Sequence, residues 1–401
     1  MHVGDLYEKR GPSYSFKNDN HAIDFGFVTY SINKGGVDVI SPLKPNGYRV
    51  EDRFEGMDVD ANVYVVVLNQ SVVKMSSSGP NCEVIYNGVK YQCQGAMTAD
   101  WYDDSSRACY LYRIPLGKVL PLYNGQTPVL SEDGKTVTYG LYPQTNVNDS
   151  DLLIELNKLT TPESNGWYCY QGRYYAKTSA APYKSDYVFD NGATISEDTT
   201  YWFNCEPIEW NILSNTEGEY YIVSSVLLDA QCYYHDYANE RTIGEQTIYQ
   251  NNYKYSDIRT WLNEDFYNSA FALGSTNIQT TTVDNSASTT NSASNQYACD
   301  PTEDKIFLPS YKDYTNASYG FTTTTSETET RQCKTTDWAR ARGVMYSKDA
   351  QYLYNGAYWT RSPHDNYKNN ACRVFYSGNL YNDHVDRDYF GVRPALNITI
   401  A

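Results

Sequence analysis

The sequence predicts an α+β protein with an N-terminal mainly-β domain at residues 1–130 and a mixed domain at residues 131–401. The chain has 401 residues, and at roughly 100–200 residues per domain two domains are the default. β-Branched runs fill the first part, which shows no amphipathic helical period, whereas the second part carries both strand and helix patterns. Turn-forming residues cluster at 115–128, and this cluster places the boundary.

In the first domain, residues 62–68 (NVYVVVL) are a β-branched run typical of a strand. Residues 84–91 predict a hairpin, because Asn87-Gly88 supplies the two positive φ angles of a type I′ turn. Residues 107–111 are a further strand candidate. No motif here assigns an activity, so we expect this domain to attach the protein to a surface or to a partner.

The second domain carries three helical patterns. Ser150 is a good N-cap for a helix over 151–156, and Ser256 caps a clearer helix with four large apolar residues on one face. A third helix begins near Thr336 and ends at Gly343 as its C′ residue. The apolar face of the second helix consists of Ile258, Trp261, Leu262 and Phe266, and the strand patterns fall at 136–141, 168–175, 208–213 and 220–226.

Two stretches are low in complexity, 280–295 (TTTVDNSASTTNSASN) and 322–330 (TTTTSETET). Neither carries the apolar side chains needed to build a core. Both are therefore predicted to be exposed loops.

Charge and hydropathy exclude several classes of partner. Lys and Arg total 32 against 48 Asp and Glu, a net charge of −16, which argues against a nucleic-acid surface. The longest apolar run, 63–68, is far shorter than a membrane span, so no direct membrane span is expected. The N-terminus has neither the basic start nor the apolar core of a signal peptide.

Cysteine and histidine spacing indicates no metal site and no cofactor. The nine Cys include no C-x-x-C pair, and the odd number leaves at least one thiol free or paired between chains. None of the five His is at H-x-x-x-H spacing, so zinc is not supported. We interpret His235-Asp236 as a solvated loop pair, and 300–304 as an exposed acidic turn in preference to a structural ion site.

Eight sequence blocks, in order, carry a resemblance to a known family. The chain resembles a bacterial domain family of unassigned activity that shares the C-type-lectin-like fold of the formylglycine-generating-enzyme type. The resemblance covers about residues 131 to 401. The blocks are 139–145 (YGLYPQT), 165–168 (NGWY), 201–210 (YWFNCEPIEW), 228–231 (LDAQ), 256–262 (SDIRTWL), 306–310 (IFLPS), 358–363 (YWTRSP) and 391–396 (GVRPAL).

The resemblance implies a C-type-lectin-like domain with two helices, twisted antiparallel strands and long loops. The variable proteins of diversity-generating retroelements share this fold, and in them a rewritten C-terminal stretch forms the ligand-binding surface. The segment between the last two blocks, 364–390, is in the corresponding place. Six residues of those blocks are expected to hold the scaffold: Trp359, Arg361, Pro363, Val392, Pro394 and Leu396.

The residue types of 364–390 agree with such rewriting. Randomising the first two bases of an AAC or AAT codon never yields Lys, Glu, Gln, Trp or Met, and Lys368 alone falls outside the reachable set. Tyr, Asn and Ser are also the side chains that antibody paratopes favour. An ordinary polar loop is the alternative. The predicted ligand-binding residues are His364, Asp365, Asn366, Tyr367, Asn369, Asn370, Arg373, Phe375, Tyr376, Ser377, Asn379, Tyr381, Asn382, Asp383, His384, Asp386, Arg387, Asp388 and Tyr389.

The sequence thus predicts a receptor-like or adhesin-like binding protein, extracellular, on a cell surface or on a phage particle. Its expected partner is a protein or glycan on another cell, and no catalytic residue is assigned. Two alternatives stay open, a bacteriophage tail component that binds a receptor and a copper-dependent oxidoreductase of the formylglycine-generating type. In the second alternative, the resemblance implies that a pair of cysteines, Cys333 and Cys372, would serve the copper-dependent oxidation. Calcium-dependent sugar binding is disfavoured, because 206–208 (EPI) lacks an oxygen ligand at its third position.

Overall fold

The computed structural model describes residues 125–170 and 173–400, together with the backbone of ten strands between residues 7 and 119. The chain divides into two compact units, residues 1–123 and 124–401.

The described backbone of the first unit is made of antiparallel strands. Its main sheet has the order β4-β3-β5-β10-β9. Among the described strands there are two smaller sheets, one of β1 and β2 and one with the order β6-β7-β8. The predicted strand at 62–68 lies in β5 and the hairpin at 84–91 is β7–β8, whose Asn87-Gly88 turn lies outside the described residues. The strands are β1 Tyr7–Arg10, β2 Ser13–Phe16, β3 Phe27–Lys34, β4 Val37–Pro42, β5 Val59–Leu68, β6 Lys74–Met75, β7 Glu83–Tyr86, β8 Val89–Gln92, β9 Gln94–Asp100 and β10 Ala108–Val119.

The second unit has two principal sheets. One has the order β11-β12-β15-β14-β13, and β16 joins β15 to β26. The other has the order β17-β25-β22-β23-β24, and only its β22–β25 pair is parallel. The strands are β11 Val129–Leu130, β12 Thr136–Asn146, β13 Tyr168–Tyr170, β14 Arg173–Ser179, β15 Thr200–Thr216, β16 Glu219–Ser224, β17 Asp229–Ala230, β18 Arg241–Ile243, β19 Gln246–Ile248, β20 Thr281–Val283, β21 Thr302–Asp304, β22 Tyr358–Pro363, β23 Asn370–Val374, β24 Leu380–His384, β25 Gly391–Val392 and β26 Ala395–Thr399.

The helices of this unit are short. Helix α1 is Ser150–Leu156; α2 (Asp257–Trp261) continues through a π turn, Leu262–Phe266, into α3 (Tyr267–Ala270); and α4 is Asp337–Ala341. Single 3₁₀ turns occur at Tyr253–Tyr255, Ala287–Thr289, Asp313–Thr315, Ala317–Tyr319, Glu329–Arg331 and Ala350–Tyr352. Among the described residues, no helix is long and apolar enough to cross a membrane.

Two of the three predicted helix caps are confirmed and one is wrong. The Ser256 hydroxyl accepts from the Arg259 backbone N–H, and Thr336 caps α4, which Gly343 follows at φ +109°. At α1, however, the carboxylate of Asp149 accepts from the Leu152 N–H at 3.0 Å, so the cap lies one residue before Ser150. The two residues offer similar caps, and sequence alone does not rank them.

The core of the second unit is rich in aromatic residues, and all eight blocks contribute to it. Trp210 and Trp359 are fully buried, and their indole N–H groups donate to the carbonyls of Tyr139 and Gln231. All six expected scaffold residues are buried, which confirms their packing role. The described chain is therefore α+β, with mixed helix and sheet and a predominance of strand.

One of the two low-complexity stretches is not a plain exposed loop. Residues 322–330 are largely exposed, as predicted, but 280–295 includes β20 and three buried polar residues, Asn285, Thr290 and Asn295. The Asn295 side chain donates to the Pro363 carbonyl at 2.9 Å, and the Thr289 carbonyl accepts from the Ser362 hydroxyl. Hydrogen bonds, which composition does not reveal, make this burial favourable.

Candidate ligand-binding surface

Segment 364–390 forms the far edge of the second sheet. It leaves the buried strand β22, forms the hairpin β23–β24, and returns to β25. Three loops result, at 364–369, 375–379 and 385–390, and β24 is the last strand in the sheet order.

Most of the predicted ligand-binding residues lie at the surface. Five are exposed, and Tyr367 and Tyr381 are the most open of the aromatic ones, at 55% and 52%. The exposed residues are Asn366, Tyr367, Tyr381, Asp386 and Asp388. The partly exposed residues are His364, Asp365, Asn369, Arg373, Phe375, Tyr376, Asn379, Asn382, Asp383, His384, Arg387 and Tyr389.

Two of the predicted contact residues, Asn370 and Ser377, are buried. Asn370 begins β23, and its side-chain amide donates to the Asn382 side chain at 2.7 Å. Ser377 lies inside the β23–β24 turn, where its carbonyl accepts from the Thr328 N–H. The rewritable-codon pattern does not separate these inward positions from outward ones, since Asn and Ser suit both.

The first loop is held by one buried side chain from outside the segment. Asn251 is fully buried, and its Nδ2 donates to the carbonyls of Tyr367 (2.9 Å), Asn370 (3.0 Å) and His364 (3.5 Å). Its backbone N–H donates to the carbonyl of Lys368 at 3.0 Å. Every one of these bonds ends on a main-chain oxygen of residues 364–370.

The second loop is held at one main-chain carbonyl by a buried arginine, which also binds three carbonyls outside the segment. Arg331 donates through Nε to the Gly378 carbonyl at 2.7 Å, and its other nitrogens donate to the carbonyls of Tyr314, Thr322 and Ser326. Gly378 has φ +90°, and a Cβ there would lie 2.0 Å from the Thr328 carbonyl oxygen. This turn therefore accepts no side chain at Gly378.

The third loop is fixed by backbone N–H groups. Val385 accepts from the N–H groups of both Tyr233 and Tyr234, Phe390 accepts from Gln231, and Tyr389 accepts from Met345 at 2.8 Å. All four donors lie outside the segment. Because all three loops are positioned through main-chain atoms, the exposed side chains are free to differ without loss of these bonds.

Arg373 is a segment residue whose side chain cannot be replaced so freely. Its guanidinium lies 4.9 Å from the ring centroids of both Phe375 and Phe390, and its Nε donates to Asp383 at 3.2 Å. Burial lowers the pKa of Arg373, although Asp383 opposes that effect. This side chain therefore packs the hairpin as well as facing the surface.

Residues from elsewhere in the chain extend the surface. Tyr237 stacks on His384 with ring centroids 4.6 Å apart, and Tyr183 packs on Tyr389 at 4.7 Å. Glu240 pairs with Lys368 at 2.5 Å. Sequence reasoning missed these residues, because they come from separate polar stretches and carry no signal beyond the general abundance of Tyr.

His364 has a partly buried ring that stacks on Tyr367, with centroids 5.5 Å apart. Burial lowers its pKa, and the nearby Asp365 carboxylate opposes the shift. The Asn366 N–H donates to its Nδ1, which fits the neutral ring.

The residues proposed for copper do not fit that role. Cys333 and Cys372 are both buried and free, and their thiols donate to different carbonyls, those of Ser225 and Pro363. Burial raises the pKa of both thiols, whereas a metal ligand must be a thiolate. We derive no redox step through this pair.

Two smaller predictions have different outcomes. His235 is exposed in a loop, as predicted, and its Nδ1 pairs with Asp257 at 2.6 Å. Asp304 is buried and bound to Arg259 at 2.6 Å, so 300–304 is not simply an exposed acidic turn. In the part of the chain that the structure describes, no group of three or more His, Cys, Asp or Glu is placed to hold a metal ion.

Comparison with known proteins gives one match. Residues 218–400 match the model of a domain of unknown function (DUF6273). No curated protein and no solved structure matches the chain at a significant level. The matched range begins just before β16 and contains segment 364–390 together with Asn251 and Arg331.

Proposed function

We propose that residues 131–401 form a C-type-lectin-like domain that binds a ligand through the exposed side chains of segment 364–390. We call these side chains the display surface. The ligand in this proposal is a protein or glycan on another cell, and residues 1–130 attach the domain to a surface, a particle or a partner.

One observation carries the proposal: the three loops are anchored through their main-chain carbonyls by residues outside the segment. A surface that varies in sequence needs a backbone whose position does not depend on its own side chains. Asn251 and Arg331 provide that independence at two of the loops. Exposed Tyr, Asn and Asp side chains then supply rigid aromatic area and adaptable hydrogen bonds.

The residue types support diversification by a retroelement. Apart from Lys368, every residue of segment 364–390 is reachable from an AAC or AAT codon. The segment also ends directly before 391–396, a block whose residues are all buried. A boundary between variable and fixed codons at this point would protect that block, whereas core residues inside the segment, such as Val374 and Phe390, would have to stay fixed.

DNA sequencing tests the proposal. We expect a near-copy of codons 360–395 downstream of the gene, differing mainly at adenines and lying beside a reverse-transcriptase gene. Across many cells the 3′ end should vary at the display-surface codons, and codons 201–210, which encode core strand β15, should serve as the invariant control. A single invariant 3′ end with no such copy would overturn the diversification proposal.

A further inference from the structure

A concave site in the same unit is lined by residues outside the display surface. It is a cavity of about 290 Å³ between β16, β20 and the 3₁₀ turns that follow Ser310. This volume is at the small end of ligand pockets, which run roughly 300–1,000 Å³. None of the predicted ligand-binding residues lines it.

Aromatic rings form one wall of the cavity. Tyr221 stacks on Phe307 with centroids 5.7 Å apart and planes at 19°, and Tyr319 meets the Tyr221 ring edge-on at 5.5 Å. Tyr221 and Tyr319 are only partly buried, so their rings contribute to the cavity surface. Such a wall favours a ligand with a flat apolar face.

A fixed carboxylate lies beside these rings. Asp313 accepts three hydrogen bonds, all on Oδ2, from the Ser310 N–H (2.7 Å), Arg361 Nη1 (2.8 Å) and the Tyr221 hydroxyl (3.3 Å). These bonds leave Oδ1 to accept from a ligand hydroxyl. Ser214 and Asn397 add further polar groups to the lining.

The charges favour a neutral ligand. Arg361 is buried, and its three nitrogens already donate to Asp313 and to the carbonyls of Leu308 and Asp284. It therefore has little left to offer an anion. It offsets the charge of Asp313, and the second carboxylate of the lining, Asp284, already accepts from the Ser286 N–H at 2.8 Å. A small molecule with several hydroxyl groups and one apolar face meets all of these conditions.

We propose that this cavity, which we call the aromatic pocket, binds a single sugar residue of a glycan. The site is fixed, because its lining belongs to the strands and turns of the core and not to segment 364–390. It would act independently of the display surface, and it does not depend on the proposed diversification.

Saturation-transfer NMR on the full chain tests the pocket, with a panel of methyl glycosides of common hexoses and N-acetylhexosamines. We expect weak, millimolar binding of at least one glycoside. Tyr319→Ala should weaken it by about tenfold, since a ring face is lost, while Tyr319→Phe keeps the ring and the binding. Thr282→Trp, at the exposed rim, should block the site without disturbing the core.

Two results would overturn the proposal. One is that no glycoside in the panel shows saturation transfer with the folded protein. The other is that binding is unchanged in both Tyr319→Ala and Thr282→Trp. Tyr367→Ala, on the display surface, is the control for where the glycoside binds. If this variant loses glycoside binding, the sugar binds the display surface and not the aromatic pocket. Melting curves of each variant verify that it folds.

Discussion

Strand β22 and segment 364–390 are adjacent in sequence and are held in opposite ways. All six residues of Tyr358–Pro363 are buried, and their side chains make specific bonds, such as Thr360 Oγ1 to the Cys372 carbonyl at 3.0 Å. In segment 364–390 the anchoring bonds end on main-chain oxygens, and many side chains face outward. The sequence of β22 is therefore constrained residue by residue, whereas most of the segment is constrained only in its backbone path.

The comparison teaches that a tolerant surface depends on a few intolerant residues. Those residues lie mostly outside the surface itself, at Asn251 and Arg331, with Gly378 as an exception inside it. Substitutions at these anchors should therefore destabilise the protein more than substitutions at the exposed side chains.

Arg331→Met should cause the largest loss. The change removes donors to four buried or partly buried carbonyls, and an orphaned buried acceptor costs about 1–3 kcal/mol. We expect the free energy of unfolding to fall by about 4 kcal/mol, measured by urea denaturation. A change within about 0.5 kcal/mol would mean that water replaces the arginine and that it is not an anchor.

Gly378→Ala should cost about 3 kcal/mol, because it combines a left-handed backbone with a Cβ placed 2.0 Å from the Thr328 carbonyl oxygen. Gly320→Ala is the matched control. Gly320 has φ +81° but no heavy atom within 4 Å of an added Cβ, so only the backbone cost of about 1 kcal/mol applies. If both variants lose the same free energy of unfolding, the turn at Gly378 is not closely packed and our interpretation is wrong.

Asn251→Asp should cost about 2–3 kcal/mol, because a carboxylate of the same shape cannot donate to the three loop carbonyls. Asn215→Asp is the control, since Asn215 is exposed and uses its oxygen to accept from the Gly218 N–H, a role that Asp keeps. Hydrogen exchange of residues 364–370 should increase in the first variant alone. Unchanged exchange would show that Asn251 does not fix the loop.

His364→Asn should remove a small pH dependence. Burial lowers the folded-state pKa of His364 below its ordinary value, so the unfolded chain binds the proton more readily. The stability that the neutral ring contributes is present above the unfolded pKa and is lost as the pH falls below it. We expect the melting-temperature difference between wild type and variant to shrink from neutral to mildly acidic pH. A constant difference would contradict the pKa direction.

Local patterns predicted much of the fold. The caps at Ser256 and Thr336, the helical face around Leu262 and the strand patterns in both units depend on neighbours close in sequence, and these were recoverable. The burial of Asn285 and Asn295 could not be predicted, because composition does not show which distant groups will form hydrogen bonds with a polar side chain.

The sequence predicts where a candidate surface lies but not how its residues are arranged. Residue types and the flanking blocks marked segment 364–390 as a unit. They could not show that Asn370 and Ser377 point inward, or that Tyr237 joins the surface. Nor could they identify Asn251 and Arg331, whose partners lie across long sequence separations.

The most direct test of the tolerant surface is the stability of a variant with all five exposed residues replaced by Ala: Asn366, Tyr367, Tyr381, Asp386 and Asp388. We predict a total loss of no more than about 2.5 kcal/mol in urea denaturation, because exposed substitutions usually stay within about 0.5 kcal/mol each. The single anchor variant Arg331→Met, measured alongside, should lose more, about 4 kcal/mol. A five-residue variant that unfolds as easily as Arg331→Met would show that the display surface holds the fold, and it would contradict our account.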